Sequence, residues 1–356
     1  MRLALLLIFL YLSLNANSSI SYIDMYKRDV QITKNEKIVC LGPGCLRLIT
    51  YMKIQDKLIG VENNILRFSP NSIYTQALNK DFIKSLPIVG QGGPGKMPNL
   101  ETLINIKPDI IFTSFLSMEQ VRHIQNKTKI PVIALSYGSG YGSIYSKDDK
   151  TQEKLTSIKN SIKLIGKIMQ KEQRAKEIIL FMNEEENKLS KLSKALKLSS
   201  IKKSIYIGGI AYKGIHGITS TESDYPALKL LNIKNNILKE HKGHAYINEE
   251  TLFIFNPDLI FLDSLSSKIV KDEIKKNKNI FNHIKAFKNK NIYWLYPSNF
   301  SNTNIENIYV NSWLISSHLG NNIDMNLTKN RIYSLFLGEN IAKKIEKLKI
   351  LPNIEK

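Results

Sequence analysis

The sequence predicts an α/β protein of two similar lobes joined by a long helical segment, and three observations predict it. A twelve-residue stretch occurs twice, ETLINIKPDIIF at 101–112 and ETLFIFNPDLIF at 250–261, with Glu, Thr, Leu, Pro, Asp and the closing Ile-Phe pair at identical offsets. Each copy ends in an apolar run, Asp109-Ile110-Ile111-Phe112 and Asp258-Leu259-Ile260-Phe261, of the kind that is covered on both faces in a parallel sheet between helix layers. Between the copies, Thr151 to Leu198 contains no proline and places Ile158, Ile162, Ile165 and Ile168, then Ala175, Ile178, Met182 and Leu189, at helical spacing. Within each copy an acidic residue opens a short amphipathic helix. The Pro-Asp pair ends it, because proline cannot continue a helix and disfavours helical backbone in the residue before it.

A chain of 356 residues suits two cores of roughly 130–150 residues each. Met1 to Leu14 read as Arg2 followed by LALLLIFLYLSL, too short an apolar run to span a bilayer, and small or polar residues follow from Asn15 to Ser18. This is the pattern of a cleavable secretory signal over residues 1–18. No cysteine closes the apolar run, so no bacterial lipid anchor is expected. The formal charge of +20 raises nucleic-acid binding, but the lysines are interleaved with glutamate, as in KEQRAKEIILFMNEEENKLSKL, without a basic stripe or a stacking platform. No nucleic-acid partner is expected; the summed field favours an anionic ligand.

Taken in order, a polar segment leads to a strand at Lys37 to Leu41, and Gly42-Pro43-Gly44-Cys45 opens a helix through Leu46, Leu48, Ile49 and Met52. A glycine turn between strand and helix lets backbone N–H groups approach a ligand at the positive helix end. A second strand, Leu58 to Val61, is followed by a polar loop to Pro87. The run Ile88 to Gly95 reads as an irregular, glycine-rich cleft wall, with Gln91 and Gly93 as ligand candidates. A helix near Met118 to Lys127 and a strand at Pro131 to Leu135 lead to a loop with exposed Tyr137 and Tyr141. In open α/β sheets ligands sit beyond the carboxyl ends of the strands, where this loop falls. The helical stretch from Thr151 to Leu198, broken near Gln170-Lys171, bridges the lobes.

The second half restarts at Ser204 to Ile207 with Gly208-Gly209, and Tyr212, Lys213 and His216 follow. Tyr246 precedes the second repeat, and a strand near Asn291 to Leu295 and a helix from Ile305 to Leu319 complete the lobe, with Asn299 between them. The divisions are 19–150 for the first lobe, 151–199 for the bridge and 200–356 for the second lobe.

No catalytic set is evident. Six histidines and two cysteines contain no HxxxH, HxH or CxxC pattern, so no protein metal cage is expected. No serine lies in GxSxG. Cys40 and Cys45 read either as apolar strand-end residues or as a disulfide, which an exported protein permits.

The sequence resembles the periplasmic solute-binding proteins of ABC importers for iron–siderophore complexes, haem and cobalamin. The likeness covers roughly residues 35–345 and rests on KIVCLGPGCLRLITYM, NLETLINIKPDIIF, PVIALSYG, YINEETLFIFNPDLIF and NSWLISSHLGNN with YSLFLG, in that order. It departs where many members carry a Ser-Pro-Ser-like turn and this chain has Gly42-Pro43-Gly44. The resemblance implies the class III architecture, two Rossmann-like lobes joined by a long bridging α-helix. It also implies a monomeric, non-enzymatic receptor in the periplasm, without cofactor, that captures a metal chelate between its lobes, foremost a ferric siderophore or related iron complex. Molybdate or another oxyanion, a nickel chelate, haem and cobalamin are the alternatives, and an exported two-lobed enzyme is a remote one. Gly44, Cys45, Gln91, Gly93, Tyr137, Tyr141, Tyr212, Lys213, His216, Tyr246 and Asn299 are the ligand candidates. The resemblance assigns Glu101 and Glu250, one per lobe, to docking on the permease dimer of the importer.

Overall fold

A computed structural model describes residues 19–69, 71–137, 151–198, 203–212, 214–233, 237, 241, 243–300, 302–348 and 350–352. The first lobe is built on a parallel sheet of five strands in the order β5-β4-β3-β6-β7: β3 Ile38–Leu41, β4 Leu58–Glu62, β5 Ile88–Gly90, β6 Ile110–Thr113 and β7 Val132–Ala134. The second has three parallel strands in the order β12-β11-β8: β8 Ile205–Gly208, β11 Leu259–Asp263 and β12 Ile292–Leu295. Two antiparallel pairs accompany them, β1 Ile20–Ile23 with β2 Asp29–Ile32, and β9 Ser220–Glu222 with β10 His244–Tyr246.

Alternation along the strands divides the core. Ile38 and Cys40 of β3 enter a large cluster shared by both lobes, whereas Val39 and Leu41 face a smaller outer cluster of the first lobe. In β11, Leu259 and Phe261 face the shared core and Ile260 and Leu262 a separate outer cluster of the second lobe. Both sheets are therefore covered on both faces, and each fully buried large apolar side chain contributes roughly 1.5–3 kcal/mol.

The sequence repeat is a structural repeat down to single hydrogen bonds. Helices α3 Leu100–Ile106 and α8 Glu249–Phe255 are capped by Asn99 and Asn248, whose side chains accept the N–H of Thr102 at 3.0 Å and of Thr251 at 2.7 Å. Both end on a left-handed residue, Lys107 and Asn256, each at φ 50° and ψ 62°. The aspartate that follows holds the entry to the neighbouring strand. Asp109 accepts the N–H of Glu36 and Lys37, and Asp258 accepts the N–H and hydroxyl of Ser204.

Two expectations are corrected, and the expected break in the long helical stretch is met, with a reversal of direction added. The segment from Asn63 to Pro87 is not a plain loop: it holds 3-10 turns at Asn63–Arg67 and Ile73–Ala77 and helix α2 Lys80–Ser85. The Asn79 side chain caps that helix by accepting from Asp81 N and Phe82 N. Ile88 to Gly90 is an edge strand, paired with β4, so the irregular wall begins only at Gln91. The long helical stretch folds back on itself as a hairpin, α5 Thr151–Ile168 and α6 Glu172–Leu198. Gln170 at φ 54° breaks it, and Gly166 permits close approach, since a Cβ there would lie 2.7 Å from the Cβ of Ala175.

The first arm bonds the first lobe, and the second arm bonds both, with Arg174 Nε donating to Tyr51 O at 2.9 Å. In α5, Ser161 Oγ accepts from Ser136 N and donates to Ser136 O, both at 2.9 Å. In α6, Glu185 accepts from Trp313 Nε1 at 2.8 Å and forms a two-pronged ion pair with Arg331. Trp313 and Arg331 belong to α12 Ile305–His318 and α13 Met325–Leu337.

Candidate functional site

The turn after β3 is closed from every side. Gly42 has φ +82°, and a Cβ there would lie 2.0 Å from Ser114 O, so only glycine fits. Its N–H donates to Glu62 Oε2 at 3.1 Å, and Cys45 N donates back to Gly42 O at 3.3 Å. Pro43 O accepts from Ser114 Oγ at 2.7 Å and from Asn302 Nδ2 at 3.3 Å, and Gly44 O accepts from the Tyr137 hydroxyl at 2.7 Å. The N–H groups of Gly42 and Cys45 are thus spent inside the protein. This corrects the reading of the turn as an open anion cradle at the start of helix α1 Cys45–Tyr51.

Beside the turn, Cys40, Gly42, Gly44, Glu62, Asn64 and Tyr74 are among the residues lining a cavity of about 10 Å³, the scale of one water. Glu62 is buried, and burial pushes its carboxyl up to about 7 although the Gly42 N–H opposes the shift. Asn64 Oδ1 is buried without a hydrogen-bond partner.

Beneath this turn the lobes are stitched together. Arg47, fully buried, donates to the carbonyls of Thr303 and Phe300 and to Asn304 Oδ1, and its guanidinium lies over the Tyr74 ring. The Tyr51 hydroxyl donates to Glu306 Oε2.

The second lobe gathers aromatic and imidazole groups around the β9-β10 pair. The Tyr212 ring stacks on His244 with centroids 4.4 Å apart, and Tyr246 meets His244 and His216 edge-on at 4.6 and 5.1 Å. His216 Nε2 lies 2.7 Å from Tyr212 O and 2.9 Å from the Tyr246 hydroxyl oxygen. A carbonyl can only accept, so Nε2 carries the hydrogen and the Tyr246 oxygen also receives from it. That tautomer leaves the lone pair on Nδ1. Ser220 Oγ donates to Ile210 O at 2.6 Å and therefore takes the N–H of His244 Nε2 at 2.8 Å. Burial, then the neighbouring His216 and His241, push the His244 imidazole down to about 4, so it is neutral at physiological pH. Phenolate oxygen and neutral imidazole nitrogen are suitable donors to iron.

The structure thus sorts the sequence candidates into groups. Tyr212, His216 and Tyr246 come together, with Tyr246 58% exposed. Gly44, Cys45 and Tyr137 form the buried knot; Tyr137 is only 2% exposed, which corrects the expectation of an open loop aromatic. Gln91 is exposed and its Oε1 accepts from Asn63 Nδ2 at 3.0 Å, and Gly93, two residues on, has φ +122°. Asn299 is half-buried and bridges to Thr303. Tyr141 and Lys213 lie outside the described residues. Glu62, Asn64 and Arg47 were not among the candidates. The acid and two asparagines at the end of β4 were the local signal for the first two. Glu101 and Glu250 are both exposed in the first turns of the equivalent helices α3 and α8, near Ile104 at 44% and Ile254 at 73% exposure.

The sequence pattern of the periplasmic binding protein family matches residues 38–298, well over half of the chain. The chain belongs to the periplasmic binding protein family.

This binding protein is 27% identical to the Fe(3+)-citrate-binding protein YfmC of Bacillus subtilis over 222 residues, 60% of this chain and 63% of that one. It is 24% identical to the molybdate-binding protein MolA of Haemophilus influenzae over 166 residues, 44% of each. The matches span less than two thirds of the length of these curated relatives. In structure, molybdate-bound MolA is similar at a TM-score of 0.66 with 17% identity, over 89% of this chain and 98% of that one. A solute binding protein from Veillonella parvula is similar at 0.69 with 16% identity, over 90% and 93%. Identity at that level speaks for the shared two-lobed fold. Among the described residues of this binding protein, no helix is long and apolar enough to cross a membrane, and no group of three or more His, Cys, Asp or Glu is arranged to hold a metal ion.

Proposed function

We propose that this binding protein is the substrate receptor of an ABC importer, which captures a ferric chelate between its lobes and delivers it to the permease. The lobes are taken as 19–150 and 200–356 with the bridge at 151–199, and residues 1–18, outside the described residues, as the secretory signal that directs the chain to the periplasm. The observation that carries the ligand class is the His216–Tyr246 pair, an exposed phenol oxygen that receives an imidazole N–H at 2.9 Å. On releasing its proton to coordinate, such an oxygen becomes a hard anionic donor to the iron of a chelate whose own ligands leave one position exchangeable. The name of YfmC points to the same ligand class.

The name of MolA favours a bare oxyanion as the second reading. Against it stands the first-lobe turn, where two N–H groups that would hold an anion are spent and the buried Glu62 carboxyl faces the neighbouring cavity. Permease docking is assigned to Glu101 and Glu250, whose carboxylates stand at equivalent places and would steer basic sites of a dimeric partner.

Calorimetry of the purified chain with ferric citrate and with molybdate separates the two readings. Binding of ferric citrate with a visible phenolate-to-iron charge-transfer band is the expected result. Tight binding of molybdate without response to ferric chelates would replace the iron reading.

A further inference from the structure

We propose that Cys40 and Cys45 are joined by a disulfide that straps the Gly42-Pro43-Gly44 turn, formed by exchange with a disulfide-bearing oxidant while the exported chain folds. The two sulfurs face each other at 2.6 Å, both inside the core. A disulfide requires about 2.05 Å, so small torsions of two side chains close the gap. They are the only cysteines in the chain, and no other thiol competes for either.

Position gives the bond its consequence. Cys40 lies in β3 and Cys45 opens helix α1, so the bridge closes a ring around Leu41 and the turn. That turn contains Gly42 and Gly44 at φ +82° and +84°, and glycine loses the most backbone freedom on ordering. A covalent link between its two ends removes much of that freedom from the unfolded chain. The turn also supports Tyr137, Ser114, Asn302 and Glu62 through the hydrogen bonds described above.

The exchange balances simply. A thiolate of one cysteine attacks the donor disulfide and expels one thiol of the donor; the second cysteine then attacks the mixed disulfide and expels the other. Two protons and two electrons leave the cysteines, and the donor is reduced to two thiols. Timing follows from burial: the folded core, the adjacent Cys45 and Glu62 all push the Cys40 thiol up, so reactive thiolate is scarce once the turn has closed. The bond forms before closure, and the finished core then shields it from reductants.

The inference is independent of which ligand the protein carries. Full-length chain, exported into an oxidising compartment and purified without reductant, is unfolded in guanidinium with iodoacetamide and weighed intact. No alkylation before reduction and two alkylated cysteines after it are expected. Alkylation of either cysteine without prior reduction overturns the proposal. As a second measurement, chain refolded in reductant should melt roughly 2–5 °C below the oxidised chain, whereas Cys40→Ala/Cys45→Ala should melt identically under both conditions. An equal response of both proteins would overturn the strap.

Discussion

The backbone N–H of Gly42 donates to Oε2 of Glu62 at 3.1 Å, so the turn that ends β3 leans on a carboxyl group at the end of β4. Burial raises that carboxyl from 4.5 to about 7. Between these values the folded chain holds a proton that the unfolded chain has released. Stability therefore falls as pH rises from about 4.5 to 7 and levels off above. Asp263, raised by burial to about 6, acts in the same direction. Glu62→Gln keeps an acceptor for Gly42 and removes the ionisation. Urea unfolding should find the variant about 1–3 kcal/mol more stable than the parent at pH 8 and nearly equal at pH 4; the same difference at both pH values would refute this account.

Tyr137 sits in the knot rather than in an open cleft, with its hydroxyl on Gly44 O at 2.7 Å. Tyr137→Phe should cost about 0.5–1.5 kcal/mol of stability and leave ligand affinity within twofold or so of the parent. A large loss of affinity in a fully stable variant would return Tyr137 to the ligand site.

For the second-lobe cluster, Tyr246→Phe removes only the phenol oxygen, and His216→Ala removes the N–H that it receives. Each should weaken ferric citrate binding by roughly tenfold, ~1.4 kcal/mol, and Tyr246→Phe should abolish the charge-transfer band. A band of undiminished intensity in Tyr246→Phe would place the iron elsewhere.

Glu101 and Glu250 are exposed at helix starts, where a carboxylate gains only about 0.3–1 kcal/mol from the helix dipole. The double change Glu101→Lys/Glu250→Lys should abolish uptake in cells, with ligand affinity and melting temperature nearly unchanged. Normal uptake by the stable double variant would reduce both residues to helix-end electrostatics.

What the sequence by itself determined is whatever short-range rules control. The repeated Pro-Asp boundary, the alternation that lines Ile38 and Cys40 on one face and Val39 and Leu41 on the other, and the helical periods of α5 and α6 all follow from periodicity and capping over a few residues. The short edge strand at Ile88–Gly90 was missed because three residues beside glycines carry too little pattern to outweigh a turn reading. The hairpin was half-legible. A break near Gln170 could be read, but the reversal depends on Gly166 meeting Ala175. Tertiary structure alone decided which site residues meet. The contacts of Arg47 with Asn304, Tyr137 with Gly44 and His216 with Tyr246 join residues far apart in sequence. Such contacts depend on how the chain closes its long loops, and no local rule encodes that outcome. Burial followed from the same closure: it turned Tyr137 into a structural support and left Tyr246 at the surface with its oxygen available.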